Sequence, residues 1–103
     1  MTQGTTPTIE LQLSNQMIDL TTAQKVRATL MQGDKVLAIE SPDNRMRLET
    51  GKVLLDLTQE DTLFFVPGKV QVQLRWMDEG GKVCASTIGI LNVDRILEKG
   101  ELW

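Results

Sequence analysis

Histidine and tyrosine are missing from this 103-residue chain, and cysteine occurs once, as Cys84. Without imidazole the commonest proton shuttle near neutral pH is gone. The Ser-His-Asp and Cys-His nucleophile systems go with it. Zinc, copper or non-haem iron would have to be held without imidazole and by one thiol, so neither a metal site nor a catalytic residue is expected. A lone cysteine cannot close an intrachain disulfide, which points to synthesis and folding in a reducing cytoplasm. Cys84 alternates with Val83 and Ala85 and reads as a small packing residue.

Long apolar runs are also lacking. Runs such as Leu63–Val66 and Val53–Leu55 fall far short of the ~20 residues of a membrane helix, so no membrane partner is expected. Met1–Pro7 carries neither a basic run nor an apolar core and is not read as a signal peptide. Basic clusters are scarce. Against 14 acids stand 11 bases, for a net charge of -3, and no cluster exceeds Arg45-Met46-Arg47. Phosphate binding rests on Lys/Arg neutralisation, so nucleic acid is not expected as a partner. The acids show no calcium-loop spacing. Gly80-Gly81-Lys82 lacks the distant glycine and the following Ser/Thr of a phosphate loop, so no cofactor is implied.

What the chain does have is alternation. Lys69–Met77 places Val70, Val72, Leu74 and Trp76 on one face and Lys69, Gln71, Gln73 and Arg75 on the other. Successive strand side chains point to opposite faces, so this is a half-buried strand with Trp76 toward the core. Asp78-Glu79-Gly80-Gly81 then turns it into a return arm, Lys82–Val93. The same period of two runs through Thr8–Leu13, Lys25–Gln32, Lys35–Glu40, Arg45–Glu49 and Lys52–Leu57. Gly33-Asp34 makes a glycine-first hairpin turn between the second and third of these. Thr58 and Asp61 have the spacing to cap one helical turn, of the kind that links the two sheets of a sandwich. Thr21–Gln24 is a second, briefer candidate turn.

About seven short strands at regular spacing, with little helix, predict an all-β antiparallel β-sandwich of immunoglobulin-like architecture. The Cys…Trp…Cys pattern of antibody domains is absent. The expected organisation is a flexible N-terminal arm over residues 1–7, a single sandwich over 8–97 and a C-terminal tail over 98–103. Two features lean toward protein contacts. The wet face of the long strand carries Gln71, Gln73 and Arg75 rather than the lysines that blunt exposed sheets, and the chain ends on the apolar pair Leu102 and Trp103.

Four stretches, in their order and spacing, carry a resemblance: Gly4-Thr5-Thr6-Pro7-Thr8; Leu57-Thr58-Gln59-Glu60-Asp61-Thr62; Val72-Gln73-Leu74-Arg75 with Gly80-Gly81; and Val93 through Glu101. The chain resembles small prophage-encoded tail or baseplate proteins of Gram-positive bacteria. It is similar above all to the N-terminal, particle-attaching domains of upper baseplate proteins. That resemblance implies a β-sandwich without catalysis, assembling with protein subunits (copies of itself and other tail proteins) and ending in a virion when assembly is completed. A carbohydrate- or peptide-binding β-sandwich module is the alternative. Exposed aromatic platforms would favour it, and the candidates are Trp76, Trp103, Phe64 and Phe65.

Overall fold

A computed structural model describes residues 1–97 of the chain. In chain order the elements are β1 (Thr8–Gln12), β2 (Lys25–Gln32), β3 (Lys35–Glu40), β4 (Met46–Glu49), β5 (Lys52–Asp56), α1 (Gln59–Phe64), β6 (Gly68–Met77), β7 (Val83–Ala85) and β8 (Gly89–Val93). A 3-10 turn, Leu20–Thr22, is capped by the Asp19 carboxylate. The strands form two antiparallel sheets, β1-β5-β4 and β3-β2-β6, with β7 and β8 both paired to β6. This is the all-β sandwich that the alternation predicts.

The period of two decides what lies between the sheets. Val26, Ala28 and Leu30 of β2 and Val70, Val72, Leu74 and Trp76 of β6 are buried against Val53 and Leu55 of β5 and Met46 of β4. Leu20 and Phe65, both fully buried, belong to the same core. Turn chemistry holds the register. Gly33 takes φ +60° as the first residue of the β2–β3 turn. Gly51 takes φ +77°, and a Cβ there would lie 2.7 Å from the Gln16 carbonyl oxygen, so no side chain fits the β4–β5 turn.

α1 crosses from one sheet to the other. Thr58 Oγ1 accepts the Asp61 amide at 3.1 Å, and the Asp61 carboxylate accepts the Thr58 amide at 2.9 Å. The second carboxylate oxygen of Asp61 takes Arg45 Nη1 at 2.7 Å. The acid at the third helical position therefore caps the helix and anchors it to the residue before β4.

Two expectations are corrected. The N-terminal segment does not stand away from the body as a flexible arm. The Met1 ammonium donates to the Asn92 carbonyl at 2.7 Å, Thr2 bridges Asp94 in parallel, and buried Gln3 donates Nε2 to the Phe65 carbonyl at 2.7 Å. Polar atoms that lose water need such partners; Gln3 Nε2 finds one on the sandwich, whereas Gln3 Oε1 is buried without one among the described residues. The return arm, expected as one strand, is two. Arg75 pairs with Ala85, but Val72 pairs with Gly89, one residue out of step. The Ser86 amide donates to the Leu74 carbonyl at 2.8 Å, which leaves Thr87 and Ile88 together opposite Gln73. This is a β-bulge. It makes the strand count eight and changes the faces. Unbroken alternation from Cys84 would turn Ile88 and Ile90 inward. The bulge instead points Leu91 and Val93 into the core and leaves Ile88 and Ile90 outside.

Candidate interaction surface

The outer face of the five-stranded sheet gathers side chains from every one of its strands. Register fixes its rows. Val36 stands beside Met31, Met31 beside Gln71, and Gln71 beside Ile90. The next row runs Ala38, Thr29 and Gln73, with Ile88 at the bulge. Glu40, Arg27, Arg75 and Ala85 form the third, and Lys25, Met77 and Val83 the fourth. The first and third rows are four residues apart, about 13 Å at the rise of an antiparallel strand.

Sequence reasoning placed Gln71, Gln73 and Arg75 on this face, and there they lie. They are not equivalent. Gln71 and Arg75 are exposed, while half-buried Gln73 donates Nε2 to the Ser86 carbonyl at 2.9 Å and pins the bulge. Leu102 and Trp103, the other candidates, lie outside the described residues. Sequence reasoning missed the apolar neighbours. Met31 is 40% exposed, Val36 49%, Val83 53%, Ile90 54% and Ile88 58%, all on this face or its β7–β8 border. Parity within β2 and β3 marks Met31 and Val36 as outward. No such signal marks Ile88 and Ile90, because the bulge resets the parity.

The charge on the face is one-sided. Lys25, Arg27, Lys69 and Arg75 alternate outward, and Glu40 is the one acid among these rows. Glu40 accepts Lys25 Nζ at 3.0 Å and Arg27 Nη2 at 2.9 Å. Its carboxyl is held below the usual range, first by Lys25 and then by Arg27. Arg75 stands directly across from Arg27 and has no hydrogen-bond or ion-pair partner among the described residues.

A second feature opens where β1 of one sheet faces β7 and β8 of the other. A cleft of about 550 Å³ enters the core there, lined by Leu11, Leu13, Ile18, Leu74, Trp76 and Leu91. All three flanking strands, β1, β7 and β8, are sheet edges. Cys84, opposite Trp76 in the ladder, lines the cleft and packs against the core. Trp76 keeps only 7% exposure, and Phe65 none. Phe64 is partly exposed, but the Lys35 ammonium lies 5.3 Å from its ring centre.

Among the described residues no three metal-ligating side chains converge, and no helix is long and apolar enough to cross a membrane. What the surface offers is shape, apolar area and cationic hydrogen-bond donors. Set beside known proteins, the chain matches no protein-family model and no curated protein.

Proposed function

We propose that this protein is a non-enzymatic structural component of a phage or prophage tail or baseplate, acting through protein–protein assembly. The phage assignment rests on the resemblance of the four sequence stretches. The assembly reading rests on one observation: the outer face of the five-stranded sheet carries exposed Met31, Val36, Ile88 and Ile90 around Gln71 and Arg75. Contiguous exposed apolar area edged by polar groups marks contact surfaces. The protein would be made in the cytoplasm and become part of a virion. Sedimentation together with isolated tail particles, or self-association at high concentration, is the expected result. A strict monomer that leaves tail particles untouched refutes the reading.

The alternative is a binding module, and the cleft between β1 and β7–β8 favours its peptide form. An extended peptide can add to an open edge while its side chains enter an apolar groove. A sugar site has less support, since Trp76 and Phe65 are buried and offer no platform.

A further inference from the structure

Arg75 sits in an electrostatically unfavourable place. Like charges directly opposite one another on an antiparallel pair are destabilising, and Arg75 faces Arg27. The nearest acid in the rows, Glu40, already receives Lys25 and Arg27. Beside these cations the surface is dished. Lys25, Arg27, Arg75, Trp76, Met77 and Val83 line a shallow cavity of about 160 Å³. The side chains of Met77 and Val83 supply its apolar wall, and its charged side chains are all cationic. About 13 Å along the strands lies the apolar row Val36, Met31 and Ile90.

We propose that this cavity receives a carboxylate carried on an aliphatic stem, presented by a partner protein whose apolar side chains cover the Val36–Met31–Ile90 row. Charge complementarity selects the occupant. A guanidinium lacking an acid gains most from a carboxylate, which it grips through paired N–H donors. The apolar row argues for a protein surface over a bare polyanion, which would bury Met31 and Ile90 against charge. The chain is acidic overall, with net charge -3, yet this face bears four bases and one acid. Electrostatic steering would therefore orient an acidic partner toward it. The inference rests on the assembly reading and names the chemistry of the contact.

The test uses the whole chain labelled with 15N and three probes: hexanoate, hexanamide and heparin. Hexanoate is expected to move the amide signals of Lys25, Arg27, Arg75, Met77 and Val83. Hexanamide, which keeps the stem and lacks the charge, should bind at least about tenfold more weakly, as should hexanoate to Arg75→Gln, each having lost the charge-assisted pairing of carboxylate and guanidinium. Arg75→Lys should restore part of the affinity. Arg75→Gln removes a like-charge contact, so an unchanged or slightly raised melting temperature establishes that it folds. Equal binding of hexanoate and hexanamide overturns the proposal in favour of a merely apolar dent. Heparin shifts spreading to Lys69 without any hexanoate response overturn it in favour of a polyanion surface. Particle association that persists while hexanoate is ignored overturns the cavity alone and leaves the assembly reading standing. Hexanoate binding in a chain that associates with nothing supports the cavity and refutes the assembly reading.

Discussion

Replacing Val93 by alanine and Ile90 by threonine tests the bulge from both sides. Val93 is 4% exposed and stands opposite Gly68, whereas Ile90 is 54% exposed opposite Gln71. Val93→Ala removes two methyl groups from the core, about 1.6 kcal/mol by transfer alone, and a residual cavity brings the loss to about 2 kcal/mol. For a domain of this size that lowers the melting temperature by about 10 °C. Ile90→Thr keeps a β-branched side chain at a wet position and should change stability by less than about 0.5 kcal/mol. Urea unfolding followed by tryptophan fluorescence reads both. Deleting Thr87 completes the set. Thr87 and Ile88 share the place opposite Gln73, so its removal restores a one-to-one ladder with Leu91 and Val93 still inward. In an unbulged strand the same deletion would slip the register and turn them out. The reasoning is refuted if Ile90→Thr is the costlier substitution, or if deleting Thr87 unfolds the chain.

Four further outcomes follow from the packing. Trp76→Ala should destabilise by about 3–5 kcal/mol in thermal or urea unfolding; a loss below about 1 kcal/mol would mean that its face is exposed. Gln3→Ala strips the buried Phe65 carbonyl of its donor and should cost about 1–3 kcal/mol by the same assay, where a free arm would show no change. Thr58→Ala removes one half of the capping box and should cost about 1 kcal/mol, read by urea unfolding. Acid should weaken the fold through Asp43, whose carboxyl is lowered to about 2 by the Arg45 guanidinium first and the Arg45 backbone amide second. The folded state releases this proton more readily than the unfolded chain, so the stabilisation is complete above about pH 5 and is lost as the pH falls through about 2. Melting curves of the parent and Asp43→Asn should therefore differ at pH 5 and draw together as the pH is lowered through about 2.

Legibility in the sequence followed the range of the interactions concerned. β2 and β3 were readable to the residue because alternation and a glycine-first turn are local signals. Thr58 and Asp61 were readable because a capping box spans three positions. Docking of Gln3 on the Phe65 carbonyl was not, since the partners lie 62 residues apart and a polar N-terminus looks the same free or bound. The bulge escaped because Ser86-Thr87-Ile88 contains no glycine and no break in composition; only pairing to β6 reveals the extra residue. The candidate face was half visible for the same reason. Gln71, Gln73 and Arg75 follow from one strand's parity, but Met31, Val36, Ile88 and Ile90 join them only once sheet order is known.

The two outer faces of the sandwich provide an internal control on what that surface is for. On the three-stranded sheet the exposed charges of β1, β4 and β5 are mutually satisfied: Lys52 Nζ lies 2.9 Å from Glu10 and 3.9 Å from Glu49, and Arg47 Nε lies 2.8 Å from Asp56. Leu54, at its centre, is half-buried among them. That is how a strand face meets water. The five-stranded sheet, folded from the same chain, leaves Arg75 against Arg27 and five large apolar side chains uncovered on the face or its border. Solvation alone explains the first face and not the second. The bulge adds a geometric argument. By twisting the β7–β8 border it makes that edge a poorer template for an added strand, while swinging Ile88 and Ile90 onto the broad face. One inserted residue thus blunts an edge and enlarges a face, which favours docking over the sheet surface rather than strand addition at its rim.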